Sequence, residues 1–409
     1  MIRNRFTLML TSSVALSAVS MAINAQPTLT HQIIAPTCLS KHITAPHKTL
    51  ASSSSFELME MNEEGLNQLI HAKTMQKTLC GGFMDVSHAW QGYAIKHVTD
   101  SKKASDILAQ YTKSETASLS KRRTYAIQYE AQVNQQLQRI VPDRMWKNLT
   151  HLTSFQDRYA NSDNGVKAAE WLKSTIEALA KENQRNDITV YLVQTGYSYK
   201  QPSVVVKFGD SNAAGVVIGG HMDTLSSSFE NKPGADDDGS GTATVLEAAT
   251  TLISSGMRFN KPIYFIWYAA EEMGLVGSQY VVADFKRKKI PVDAVMQLDM
   301  TGYAYKNDPT MWLVKDNVNR SLTQYLQTLI STYVKTPVQY TACGYACSDH
   351  ASWNSAGYAA SAPFESAFET YNPYIHSSND TMNHLSLNHM TSFAKLAVAF
   401  AIELAEPVK

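Results

Sequence analysis

Gly219-Gly220-His221-Met222-Asp223, followed downstream by Gly234-Ala235-Asp236-Asp237-Asp238-Gly239, is the stretch on which the reading of this chain turns. It brings four aspartates and one histidine close together in the sequence. An apolar run at 215–219 feeds its first part, and a helix-like run at 240–253 follows its second. Crowded carboxylates repel one another, so a folded chain needs something cationic among them. Carboxylate and imidazole are also the ligands that suit divalent metals such as zinc. The stretch therefore reads as half of a metal site.

The surroundings predict where the other half lies. Strand-like runs at 187–195, 203–208, 216–219, 263–269, 294–298 and 311–314 alternate with helical runs at 240–253, 277–288 and 319–334. Helical spacing also marks 124–182, and a last helix over 388–404 carries Phe393, Leu396, Ala397 and Phe400 on one face. The pattern predicts an α/β fold: a mostly parallel, mixed central sheet sandwiched between helices. Ligands of such sheets bind beyond the carboxyl ends of the strands.

That rule selects His221 and Asp223 after 216–219, Glu271 and Glu272 after 263–269, and Asp299 after 294–298. His376 lies in the loop Tyr371-Asn372-Pro373-Tyr374-Ile375-His376. Taken singly, each has a plainer reading as a helix cap or a loop histidine. Jointly they supply imidazoles and carboxylates to one rim of one sheet. Glu271-Glu272 directly follow a run with no charged residue from 263 to 270. The two side chains leave the backbone in different directions, so one can bind a metal while the other faces substrate. Spacing does not say which does which. Two ions about 3.5–4 Å apart acidify a shared water and stabilise both oxygens of a tetrahedral intermediate. A glutamate beside them moves the proton to the leaving amine, which is amide hydrolysis. Other hydrolytic signatures are missing: there is no G-x-S-x-G elbow, H-E-x-x-H, phosphate loop or G-x-G-x-x-G.

Composition narrows the classes. The 409 residues are 44% hydrophobic, enough for a large core, and Lys+Arg and Asp+Glu balance at 36 each. There is no basic surplus to suggest nucleic acid. Residues 1–25 read as a signal peptide: Arg3 and Arg5, an apolar run at 6–23, then small residues permitting cleavage after Ala25 or Ala22. The serines and threonines in that run make it a poor permanent membrane anchor. Export machinery is thus an expected partner, and the mature protein is expected outside the cytoplasm, extracellular or periplasmic.

Cys38, Cys80, Cys343 and Cys347 in an exported chain suggest disulfides. Local spacing favours Cys343–Cys347, leaving Cys38–Cys80. Residues 26–120 differ from the rest, with a serine run at 52–55 and no long strand-like run. One helix is expected after Asn62, with Glu63 and Glu64 in its first turn and Leu66, Leu69 and Ile70 on one face. Cys80-Gly81-Gly82-Phe83 reads as a turn. The segment is taken as a removable pro-segment, with a permanent accessory domain as the alternative. Lys121-Arg122-Arg123 is either an exposed processing site or a solvated face. The domain plan is 1–25, 26–120 and a catalytic unit over 121–409.

With these residues in place, the chain resembles the secreted bacterial leucyl aminopeptidases, a two-zinc peptidase family. The resemblance is carried by Gly220–Asp223, Gly234–Gly241, Tyr268-Ala269-Ala270-Glu271-Glu272-Met273-Gly274, Gln297–Met300, Cys343–His350, Pro363–Ser366, and Tyr371-Asn372-Pro373 leading to His376. It covers roughly 140–405, with a weaker likeness to the family's pro-segment before it. It implies two zinc ions bridged by Asp237, one completed by Glu272 and His376 and the other by His221 and Asp299. It implies Glu271 as general base, Asp223 as the carboxylate orienting His221, a cis Asp237–Asp238 peptide, and a Cys343–Cys347 disulfide. Asp236 and Asp238 are left to hold the loop. The apolar pocket for the substrate's first side chain falls on Met300, Val314, Cys343, Tyr345, Phe364, Phe368, Tyr371 and Ile375. Ala362 departs from the family, where a larger residue is common, and a roomier pocket admits aromatic as well as leucine-like side chains. Peptides are the expected substrates. The alternatives are a related two-zinc carboxypeptidase or dipeptidase, which needs a cation for the substrate carboxylate, and an inactive binding homologue, which predicts broken ligands.

Overall fold

The computed structural model describes residues 30–75, 80–93, 98–112, 124–226 and 230–408. The expected signal peptide and the Lys121-Arg122-Arg123 run lie outside the described residues.

The N-terminal part contains strands although its sequence shows no long strand-like apolar run. β1 (Thr30–Pro36), β2 (His47–Ser52), β3 (Phe56–Asn62) and β4 (Met84–Asp85) form an antiparallel sheet in the order β2-β3-β1-β4. β1 to β3 interleave apolar residues with polar ones such as His31, Gln32, Lys48, Glu57 and Glu60, so none shows as a long apolar run. Cross-strand packing makes them: Ile33 faces Met59, and both are fully buried. The helix Glu63–Met75 forms as expected, with Asn62 Oδ1 accepting from the Gly65 N–H at 3.1 Å. Its Leu66 and Leu69 pack on Ile33, Met59 and Met61. A disulfide joins Cys38 to Cys80 across 42 positions and pins the segment after that helix to the small core.

In the catalytic part, β5 (Ile188–Val193), β6 (Ser203–Phe208), β7 (Gly215–His221), β8 (Ile263–Tyr268), β9 (Val292–Gln297) and the short β12 (Ala360–Ser361) make the central sheet, ordered β12-β9-β7-β8-β6-β5. The four strands from β12 to β8 run parallel, and β6 and β5 close the edge antiparallel. Every residue of β7 and β8 is buried. Alternation then sorts the side chains between the faces. Val216, Ile218, Phe265 and Trp267 join one core with the helices Pro142–Thr153, Gly241–Ser254 and Leu387–Ala405. Val217, Tyr264, Ile266 and Tyr268 join a second with the helix Val276–Lys288. The sequence run at 311–314 forms a strand, β10 (Met311–Val314), but outside the central sheet. It pairs with β11 (Val338–Thr341) and β13 (Pro363–Phe364) in a small sheet ordered β11-β10-β13.

The N-terminal part docks on the catalytic part mainly through apolar contacts. Ile34, Leu58, Met84 and Ile107 share one cluster with Leu275 and Ala351. The Asp85 N–H donates to Gly274 O at 3.0 Å, and Gln279 Nε2 donates to Asp85 O at 2.9 Å. No helix among the described residues is long and apolar enough to cross a membrane.

Candidate active site

The carboxyl ends of the parallel strands deliver the expected residues to one place. His221 ends β7, Glu271 and Glu272 follow β8, and Asp299 follows β9. Three residues beside or among them hold left-handed backbone without being glycine: Ala270 (φ 51°), Met300 (φ 61°) and His376 (φ 60°). Such geometry costs on the order of 1–2 kcal/mol per residue and survives where the surrounding structure fixes it. Here the large buried core on both sheet faces offsets that cost.

Asp237 stands at the centre. Its Oδ1 lies 3.0 Å from His221 Nε2, and its Oδ2 lies 3.0 Å from His376 Nε2. On one side His376 Nε2 is 3.2 Å from Glu272 Oε2; on the other, His221 Nε2 is 3.5 Å from Asp299 Oδ1. Asp237, Glu272 and His376 present ligand atoms within 4.8 Å of one another, and so do His221, Asp238 and Asp299. Asp238 fits this second set by distance, yet its oxygens are already taken. They accept the backbone N–H groups of His221 (3.0 Å), Gly241 (2.8 Å) and Met300 (3.1 Å). Asp237, facing both histidines, is the better third member of both sets. Asp236 likewise serves the loop, accepting from Gly302 N and from Asn372 Nδ2. The Asp237–Asp238 peptide is cis.

Asp223 braces the acids as well as the histidine. Its Oδ1 lies 3.4 Å from His221 Nδ1, and its two oxygens accept the N–H groups of Glu271 (3.0 Å) and Glu272 (3.2 Å). One fully buried carboxylate thus aims residues from two strand ends.

The charge balance fits a cation-binding site. Burial pushes the Asp237 carboxyl up, but the His221 and His376 imidazoles pull it well below the usual range. Burial likewise raises Glu272, and His376 and Lys73 bring it down to about 2. Glu271 goes the other way: burial holds it well above the ordinary range, against the pull of His221 and Lys73. The two adjacent glutamates thus sit in opposite electrostatic environments, Glu272 held low and Glu271 held high. A cluster of oxygen and nitrogen donors this dense suits a divalent metal.

Beside the acids lies an apolar pocket. Met300, Val314, Tyr345, Phe364, Phe368, Tyr371 and Ile375 line it as expected. Cys343 does not: it packs against the same cluster from behind, and its disulfide partner Cys347 faces the pocket. The loop 343–347 turns one end of the bridge inward, which spacing does not reveal. Ala362 also lines the pocket.

Several contributors carry no sequence signal. Lys73 reaches in from the N-terminal helix, its Nζ 2.8 Å from Glu272 Oε2. Burial pulls its pKa down, but Glu272, Glu271 and Asp237 outweigh that and hold the ammonium well above its ordinary value. Cys80 and Gly81 join it at the pocket wall. Gly81 has φ +80°, and a Cβ there would come within 2.6 Å of the Tyr345 ring. Ser348 Oγ donates to Asp299 Oδ2 at 2.5 Å. Ser348 falls inside the Cys343–His350 motif, where it had no role until the fold brought it to Asp299.

Residues 203–401 match the sequence profile of Peptidase family M28. Leucine aminopeptidase 1 of Emericella nidulans is 37% identical over 275 residues, 64% of this chain and 70% of the relative. Leucine aminopeptidase 1 of Coccidioides posadasii is 36% identical over 292 residues, 68% and 75% of the two chains. Among solved structures, the LapA aminopeptidase of Legionella pneumophila superposes with a TM-score of 0.84 at 46% identity, covering 94% of this chain and all of that one. LapB from the same organism gives 0.84 at 40% identity over 92% of this chain. The two Legionella spans are too long to leave out the N-terminal sheet.

Proposed function

The chain belongs to peptidase family M28, and we propose that it is an exported two-zinc aminopeptidase. It removes an N-terminal leucine or another apolar or aromatic residue from peptides. The observation that carries this reading is Asp237, with one oxygen facing each of two histidines in two adjoining clusters. Asp237, Glu272 and His376 would hold one ion, and Asp237, His221 and Asp299 the other. When bound, the two ions supply Lewis acidity, which acidifies water and stabilises negative charge on a carbonyl oxygen.

This chain's own groups do the rest. Glu271 reaches the site without ligating; its burial suits it to take the proton of the attacking water and return it to the leaving amine. Asp223 holds the Glu271 and Glu272 backbone and steadies His221. The apolar pocket beside the acids takes the side chain of the first residue. A carboxypeptidase or dipeptidase needs a cation for the substrate's carboxylate. Among the described pocket residues, Lys73 is the one such group, and it is engaged with Glu272. An inactive homologue is disfavoured because every ligand position and Glu271 are kept.

The N-terminal segment is, in this reading, a pro-segment that closes the site. Support comes from Lys73 on Glu272 and from Cys80 and Gly81 on the pocket wall. Two disulfides agree with an exported protein. The deciding experiment measures zinc content together with hydrolysis of leucine anilide and of an N-blocked peptide with a free carboxyl end, before and after proteolysis of the N-terminal segment. Two zinc ions per chain and cleavage of the anilide are expected. Cleavage of the blocked peptide alone would overturn the reading.

A further inference from the structure

Asp380 and Arg158 are among the buried charged residues near the site that the reading so far leaves without a role. Asp380 is 1% exposed and Arg158 is completely buried. Asp380 Oδ1 accepts the Asp236 N–H at 3.0 Å, and its Oδ2 accepts the Asp237 N–H at 3.1 Å. Its carbonyl accepts the Ala235 N–H at 3.1 Å. One residue thus satisfies three consecutive donors of the loop that carries Asp237. Bonds of N–H to a carboxylate are short and roughly twice as strong as neutral ones.

The position of Asp380 gives this grip a consequence. It lies in the same loop as His376, a few residues on, and 143 positions from Asp237. A second tie runs alongside, Lys232 Nζ donating to His376 O at 3.0 Å. The loop 230–238 and the loop 376–380 are therefore fastened to each other on both sides of the Asp237–His376 contact.

Arg158 holds the first loop from its other face. Its guanidinium donates to Pro233 O at 2.5 Å, Gly234 O at 2.8 Å and Met222 O at 2.8 Å. Gly234 has φ +51°, and a Cβ there would stand 2.6 Å from Asp237 O and 2.9 Å from Arg158 Nη2. The loop has no slack on that side. Both faces thus hold Asp237, and of the two holders Asp380 is the one that sits on the His376 loop.

We propose that Asp380 is a positioning residue for the Asp237–Glu272–His376 cluster, fixing the separation of Asp237 and His376 and with it the affinity for the ion held there. This rests on the two-metal reading above. A mere helix cap would satisfy the same N–H groups but would have no reason to sit on the loop that carries His376.

The test is zinc titration against a competing chelator for wild type, Asp380→Asn and Lys232→Ala, with visible spectra of the cobalt-loaded forms and thermal melts. Asparagine keeps the shape but turns an NH2 group toward one of the two backbone donors. Asp380→Asn is expected to lower affinity for the ion of the Asp237–Glu272–His376 cluster about 10–100-fold, the range for groups that orient ligands, and to weaken the other ion, which shares Asp237, less. The cobalt spectrum should lose one component, and kcat should fall with KM little changed. Lys232→Ala should act in the same direction more weakly. Two ions bound by Asp380→Asn with wild-type affinity, and only the melting temperature lowered, would overturn the proposal. If Asp380→Asn does not fold, an unchanged zinc affinity in Lys232→Ala overturns it instead. A wild-type chain that takes up no zinc sinks the functional reading as well; a two-zinc wild type beside a two-zinc Asp380→Asn sinks this one alone.

Discussion

The ammonium of Lys73 lies 2.8 Å from Glu272 Oε2, across 199 positions of sequence, and the same oxygen faces His376 at 3.2 Å. A cation from the N-terminal helix thus sits on an oxygen that the proposed metal cluster needs, at the pocket wall where a substrate must enter. If the N-terminal segment silences the enzyme, removing this cation weakens the plug. Lys73→Ala in the full-length chain is expected to raise leucine anilide turnover by at least about tenfold, equivalent to about 1.4 kcal/mol of docking. Equal turnover by wild type and Lys73→Ala would count against the plug.

Glu271 is assigned to move the proton and not to bind metal. Glu271→Ala should keep both zinc ions and lose on the order of 10²–10⁴ in kcat. Zinc analysis beside steady-state kinetics checks this. A variant of near-normal rate would remove Glu271 from the mechanism, and one that has lost zinc would make it a ligand.

Ala362 leaves room in the pocket where a larger residue would narrow it. Ala362→Leu should reduce kcat/KM for phenylalanine anilide more than for leucine anilide, by about tenfold relative to wild type, which is the order of discrimination expected from one hydrophobic wall. An unchanged ratio would place the first side chain elsewhere.

His31 links the N-terminal part to pH. Its Nδ1 lies 2.7 Å from Asp85 and its Nε2 3.1 Å from Glu63. Burial lowers its pKa, but the two carboxylates outweigh that and raise it from 6.5 to about 9. A raised histidine contributes stability that is fully present below its unfolded value and lost as pH rises through the folded one. The N-terminal part should therefore melt at lower temperature as pH is raised from about 6.5 to 9 and beyond. His31→Gln should flatten that dependence. Melting curves over this range check it, and a wild-type profile as flat as that of the variant would contradict it.

Much of the catalytic part was legible because its signals are local. The buried stretches 263–268 and 215–220 carry no charged residue, and a strand covered on both faces has nowhere to put charge. The acids at their carboxyl ends stand out against that background. The N-terminal strands did not, because Thr30–Pro36 and Phe56–Asn62 carry His31, Gln32, Glu57 and Glu60 among their apolar residues. Cys343 was placed in the pocket where Cys347 stands, since spacing fixes the bridge but not which end faces inward.

The sequence by itself determined the α/β sheet and the donor types on its rim, each from residue types and periodicity within one segment. The apolar pocket and the central place of Asp237 were implied by the resemblance to the aminopeptidase family. Only the tertiary structure decided which three backbone N–H groups Asp238 accepts, that Asp380 ties two ligand loops together, and that Lys73 enters the site. Those depend on distances between segments far apart in the chain. Such distances are set by how the sheet, its covering helices and the N-terminal sheet pack, and no local pattern encodes them.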